Sequence, residues 1–421
     1  MHRRFAPYRV FMSAGLAFGL CAMVALPGCE MFGGGEEADA KAPQPIKESD
    51  ETPAQAEEGF NWDIFGLFSD KVEKKTAAAI PFEAYSKLGY GLQWSSFAAV
   101  QSGQTLDGVD VLDGMVLARD TNGAFTSLAP LSGDIRWAKL VGTPLTKFLG
   151  AVKDGKQLFV VGERDVYLVS AETGEPTLSG PARGDRPMME QLGKIGATEP
   201  LTIGNVLLLG TTSGHGFAHV LGQGVTGWRY LIGGAISAKA TMLNSGNVAF
   251  VTQGGKVVLL QPSSGMSTGR ADVFGPITVP AAAGPGSAFV ASNDQSLYAF
   301  DDIGCVLRWR VRTESALTRP PVYHGGKVFV QVPGKGLLAV DANTGRQAWM
   351  KGELAGDVIA VRKGRLLVWD GAHATLVDPA NGDVIEKVEL PGLMGLKVSS
   401  FVDGDIYALY SSGQVAKFNP R

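Results

Sequence analysis

The chain has 421 residues, with 38 basic side chains against 41 acidic ones, 56 glycines and only three cysteines. The absence of a basic excess excludes nucleic acid as the natural partner, and so few cysteines exclude a disulfide-built scaffold. A glycine content this high suits a fold made of many tight hairpins.

The first 28 residues read as an export signal. Arg3, Arg4 and Arg9 precede an apolar stretch from Val10 to Leu26, which runs into Leu26-Pro-Gly-Cys29. That stretch is slightly shorter than the roughly twenty apolar residues expected of a membrane-spanning helix. A small residue before a cysteine, with Leu26 three positions ahead, resembles the bacterial lipoprotein processing site. The resemblance implies that Cys29 becomes the first residue of the mature chain and carries lipid. Glu30, rather than Asp, follows it, which by resemblance to Gram-negative sorting permits export to the outer membrane. Loss of residues 1–28 removes three Arg and no acid, so 38 less three leaves 35 basic against 41 acidic groups, a net charge of −6.

Residues 29–59 read as a disordered acidic tether. Between Glu30 and Glu58 lie nine acids, two Lys, three Pro and the run Gly33-Gly-Gly35, a composition that cannot support a core. A flexible segment of this length has an r.m.s. reach of about 30 Å. The next part, 60–89, is a short aromatic-rich segment and a connector. Phe60-Asn-Trp-Asp-Ile-Phe-Gly-Leu-Phe68 carries six large apolar side chains in nine residues, too many for a free linker. The spacing of Trp62, Phe65 and Phe68 places them along one face of a short helix. That face can dock on the domain that follows, lie at a membrane interface, or be held by a partner.

From about residue 90 to 421 the chain is built of imperfect copies of one unit, seen most clearly in Lys335 to Trp349. Leu337 to Val340 is a short apolar strand. Asp341, Asn343 and Gly345 supply a tight turn, with Gly345 available for a positive φ, and Trp349 lies on the returning strand. Outer-strand markers recur at Trp94, Trp137, Leu178, Trp228, Met266, Trp309, Trp349 and Ile385, roughly forty residues apart, the period of a four-stranded propeller blade. Eight markers give eight blades. The last strand group, 397–418, has no outer strand after it, and the strand around Trp94 has no group before it, so these two complete the eighth blade and leave no free sheet edge. The expected fold is therefore all-β, an eight-bladed β-propeller closed between its two ends. One interval is longer than the others because of an insertion between Pro181 and Pro200. Insertions in repeat folds go to loops on one face, often the binding face, which makes Arg183, Arg186, Met188 and Met189 candidate partner contacts.

The Leu337–Trp349 run resembles the repeat of quinoprotein-like (PQQ-like) β-propellers, and the likeness extends over about 90–421. That family includes quinone-dependent dehydrogenases and non-enzymatic scaffolds. The dehydrogenases often carry adjacent cysteines and a calcium site beside a catalytic Asp; this chain has no Cys-Cys pair, and none of those positions can be matched in it. Asp341 and Asp378 are explained by turn geometry. The sequence has no Walker glycine-rich loop, no Gly-x-Ser-x-Gly elbow and no Cys-x-x-Cys. Cys305 reads as a buried core thiol. His215 and His219 lie on a turn entering a strand, where their spacing separates them by roughly 13 Å, and His215 lacks the following Glu of a zinc motif. His324 and His373 read as solvent-facing turn residues.

No cofactor, metal or catalytic residue is therefore expected. An export signal, a lipid-bearing cysteine and eight quinoprotein-like blades together resemble the propeller lipoproteins of the outer-membrane β-barrel assembly machinery. The resemblance implies a non-enzymatic scaffold, a single ring within a complex. It would be lipid-anchored in the cell envelope at the periplasmic face of the outer membrane, with envelope proteins as partners. The alternatives are a quinone-dependent dehydrogenase-like enzyme and an envelope sensor of a soluble ligand or polysaccharide.

Overall fold

The structure, a computed structural model, describes residues 77–177 and 189–421. Cys29, Trp62, Phe65, Phe68, Arg183, Arg186 and Met188 lie outside the described residues, as do the proposed signal and tether. The described chain forms eight antiparallel four-stranded sheets arranged as blades of a propeller. Blade 1 is Leu106–Leu112, Met115–Asp120, Ala124–Leu128 and Ile135–Leu140, from innermost to outermost strand. Blades 2 to 7 follow in chain order over 148–191, 201–231, 241–272, 282–312, 322–351 and 357–389. Blade 8 takes Gly395–Val398, Ile406–Leu409 and Gln414–Pro420 from the C-terminus and Tyr90–Phe97 from the N-terminal side, the last pairing antiparallel from Tyr90 with Pro420 to Phe97 with Gln414. The closure expected from the sequence is the one the chain makes.

The strands within a blade differ in pattern because their surroundings differ. Middle strands such as Ser287–Ser292 and Gly336–Asp341 are buried almost throughout, since each is covered on both faces by neighbouring blades. They therefore read as continuous apolar runs rather than alternating ones. Outer strands such as Leu307–Arg312 expose most positions. The buried apolar residues fall into eight clusters, and each cluster joins two neighbouring blades. Between blades 5 and 6, for example, Phe289, Ala291 and Leu297 meet Val328, Val330 and Leu338. Burying each large aliphatic side chain contributes about 1.5–3 kcal/mol. The core is thus a ring of eight seams with no single centre.

The turn before each outer strand has the geometry its residues call for. Asp341 Oδ1 accepts the N–H groups of Asn343 and Thr344, and the Gly345 N–H bonds the Asp341 carbonyl with Gly345 at φ +70°. Asp378 repeats it with Gly382 at φ +78°, and the Asp301 carboxylate accepts the Ile303 and Gly304 N–H groups in the same way, but there Cys305 takes the positive φ, at +60°. Cys305 is 2 % exposed, and burial pushes its thiol up to about 12, the chemistry of a core residue.

Three details differ from the sequence reading. The connector contains a helix, Phe82–Lys87, whose Tyr85 stacks on Phe418 with ring centroids 3.6 Å apart. His324 and His373 lie in strands and are partly buried, His373 Nδ1 being 3.1 Å from Asp370 Oδ2. The outer strand of blade 2 is paired at Met189–Gln191, inside the long interval. Pro176 still bridges Val169, and Met189–Gln191 resumes the same outer strand by pairing with 165–167. Residues 178–188 between these two pairings, the expected marker Leu178 included, lie outside the described residues.

Candidate interaction site

Five of the eight seams share one lock. The outer-strand tryptophan of one blade lies on the turn glycine of the next and donates its indole N–H to the carbonyl three residues before that glycine. Trp94 bonds Pro130 at 3.1 Å, Trp137 bonds Ala171 at 3.0 Å, Trp228 bonds Pro262 at 2.7 Å, Trp309 bonds Ala342 at 3.0 Å and Trp349 bonds Pro379 at 3.1 Å. A Cβ placed on Gly133, Gly174, Gly265, Gly345 or Gly382 would come within 2.5–2.8 Å of ring carbons of these tryptophans. Positive φ and contact with the indole thus both require glycine there. The lock explains why glycine and tryptophan recur four positions apart in sequence, as in Gly133/Trp137 and Gly345/Trp349, yet act in different pairs: each Trp serves the turn of the following repeat.

Three seams lack it. Between blades 4 and 5, Gly269 stands at the tryptophan position opposite Leu259, and a Cβ there would lie 2.2 Å from the Gly304 carbonyl, so backbone packs on backbone. Between blades 7 and 8, Glu386 stands at that position opposite Leu376, and the helix carrying Tyr85 covers the seam. There Arg362, 5 % exposed, donates to the Gly89 carbonyl and pairs with Asp403 at 2.7 Å.

The third such seam, between blades 2 and 3, is the one that carries the insertion. Glu190, on the short strand Met189–Gln191, reaches across it. One carboxylate oxygen lies 2.7 Å from His219 Nε2 and the other accepts the Gly222 N–H at 2.7 Å. His219 is fully buried, and its Nδ1 is buried without a hydrogen-bond partner. The tautomer consistent with this carries its proton on Nε2 and donates it to Glu190. Of the candidate contacts, the described one is Met189, which sits beside Glu190 and is 45 % exposed. Neither Glu190 nor His219 stood out in the sequence; the signal was the absence of a tryptophan from a repeat that should have had one.

The inner strands of the eight blades face the centre of the ring. The recess there, about 310 Å³, is lined from blades 1, 2 and 8 and from the segments entering blades 3 and 4. Its donor set does not fit a quinone with a calcium ion. The ring's single cysteine, Cys305, is in the core between blades 4 and 5. No aromatic side chain lines the recess, and among the described residues no three His, Cys, Asp or Glu side chains converge as metal ligands would. No helix of the described residues is long and apolar enough to cross a membrane.

Eight four-stranded blades of this repeat, closed between the chain's two ends, define a PQQ-like β-propeller. The family model described as outer membrane protein assembly factor BamB matches residues 121–276 and 269–421, and the chain belongs to that family. Among solved structures it is similar to BamB from Moraxella catarrhalis, at 18 % identity and a TM-score of 0.59, over 78 % of this chain and 97 % of that one. The fold is shared with the computationally designed Ika8 protein (11 % identity, TM-score 0.59, 77 % of this chain and 100 % of that one). It is also shared with the C-terminal WD40 domain of Sif2 (10 % identity, TM-score 0.56, 78 % and 99 %). Among curated proteins, none matches this chain in sequence.

Proposed function

We propose that the protein is a non-enzymatic scaffold of the bacterial cell envelope. It is tethered by lipid at Cys29 to the periplasmic face of the outer membrane and holds a partner of the β-barrel assembly machinery. Membership of the BamB family supports the setting, and the lipoprotein-like run at Leu26–Cys29 supports the tether. The working surface is the outer edge of blade 2, where Arg183, Arg186, Met188 and Met189 belong to the insertion or adjoin it. The observation that supports this assignment is the seam between blades 2 and 3, the one of the three seams without the tryptophan lock that also falls in the longest interval, with Met189 exposed beside Glu190. Trp62, Phe65 and Phe68 are a second candidate partner contact. The mechanism is binding alone: the lipid raises local concentration, and a rigid ring presents one edge.

Photo-crosslinking from position 189 in native envelopes, with position 347 on the outer strand of blade 6 as control, tests the reading. The expected result is an adduct with an outer-membrane assembly protein from 189 and none from 347, the purified protein showing no quinone absorbance. Equal labelling from both positions would refute the assigned surface. A bound quinone, or dehydrogenase activity on adding quinone and calcium, would refute the scaffold.

A further inference from the structure

The central recess is carved by missing side chains. Gly108, Gly150 and Gly395 lie on the inner strands of blades 1, 2 and 8, three consecutive blades around the ring. A Cβ on Gly395 would meet nothing within 4 Å, and one on Gly108 only the Arg119 guanidinium at 3.6 Å. A Cβ on Gly150 would instead meet the Pro200 ring at 3.0 Å, so it is Gly108 and Gly395 that leave the space open, and its volume lies at the lower end of the range for ligand sites.

Its charged lining is balanced but not fully paired. Arg119 Nε donates to Asp107 Oδ2 at 2.8 Å, and Lys239 lies 3.9 Å from Glu199. That leaves Asp110 on the inner strand of blade 1 and Lys397 on the inner strand of blade 8. Neither makes an ion pair within 4 Å among the described residues, although both line the same space. Burial pushes the Asp110 carboxyl up, and the Arg119 and Lys397 charges draw it back. A cation entering here is repelled by Lys397 and an anion by Asp110. A molecule bearing both charges satisfies the two at once.

We infer that the recess binds a small zwitterion, an ammonium and a carboxylate on one short chain as in an amino acid or short peptide. Asp110 receives the ammonium and Lys397 the carboxylate. The site is separate from the blade 2 edge and does not depend on the scaffold reading.

Calorimetric titration of the full chain with triglycine, N-acetyl-triglycine and triglycine amide tests the inference. Triglycine binds, and each blocked peptide binds at least about tenfold more weakly. Asp110→Asn and Lys397→Met each weaken triglycine by at least about tenfold, with melting temperatures checked against the parent protein. The blocked peptides probe the unaltered protein, so that arm stands even where a variant fails to fold. Absence of triglycine binding at millimolar concentration, equal binding of the blocked peptides, or indifference to both substitutions in folded protein would overturn the site.

Discussion

The seam between blades 6 and 7 and the seam between blades 2 and 3 do the same job with different chemistry. At the first, Trp349 covers Gly382 with a large apolar ring and adds one hydrogen bond. At the second, Glu190 bonds His219 and the Gly222 N–H. The indole seals its seam mainly by excluding water, which tolerates small shifts in geometry. The carboxylate seals only while its hydrogen bonds are made, and a buried polar group left without them is costly. The comparison teaches that one position in the repeat can close a seam either with an indole or with a carboxylate, and that the second closure depends on its hydrogen bonds.

The largest effect is expected from removing an indole. Trp349→Ala should cost about 3–5 kcal/mol in urea unfolding, because the space beneath it is lined by a glycine turn that cannot refill it. A loss below about 1 kcal/mol would show that the lock is ornamental. The glycines sharpen the contrast. Gly345→Ala meets both a left-handed φ of +70° and Trp309 ring carbons at 2.8 Å, whereas Gly222 has φ +78° with nothing within 4 Å. Expected costs are about 3 kcal/mol for Gly345→Ala and about 1 kcal/mol for Gly222→Ala; equal costs would mean that the indole yields freely.

Glu190→Ala strands His219 and the Gly222 N–H, with an expected loss of about 2 kcal/mol, and Glu190→Gln, which keeps one acceptor oxygen and puts an NH2 donor in place of the other, should lose less. If neither variant shifts the urea midpoint, the carboxylate does not hold the seam.

The smallest effect is acid sensitivity at the seam between blades 4 and 5. Burial acts to raise the Asp301 carboxyl, but the N–H groups of Gly304, Val306 and Ile303 outweigh it and hold the group below its ordinary value. The unfolded chain therefore binds the proton more readily. The contribution is complete above the ordinary carboxylate value and is lost as the pH falls through the lower folded one. Asp301→Asn should flatten the decline of melting temperature below about pH 4, and an unchanged slope would remove this turn from the account.

Much of this was legible in the sequence because repetition is visible where single contacts are not. The apolar runs, the Asp-x-x-x-Gly turns and the spaced tryptophans gave the blades, and the unmatched strand at Trp94 gave the closure. What stayed hidden was pairing across seams. Trp137 and Gly174 are 37 positions apart, and nothing local says that one needs the other. The repeat spacing pointed to Leu178, which lies outside the described residues, whereas the paired outer strand of blade 2 includes Met189–Gln191, inside the long interval. Glu190 and His219 belong to different repeats and look ordinary in each. The Phe82–Lys87 helix was missed because six residues are too few for a periodic signal; it is held by the stacking of Tyr85 on Phe418, more than 330 residues away.

Native-state hydrogen exchange, resolved to individual strands, tests the central claim most directly. The outer strand Met189–Gln191 and the outer strand Gln347–Lys351 occupy the same place in their blades. If the seam between blades 2 and 3, one of three without the tryptophan, is built to yield, amides of Met189–Gln191 exchange at least about tenfold faster than those of Gln347–Lys351, and His215–Val220 faster than Gly336–Asp341. Equal or slower exchange at Met189–Gln191 would contradict it, and would place the insertion on an edge as rigid as the rest of the ring.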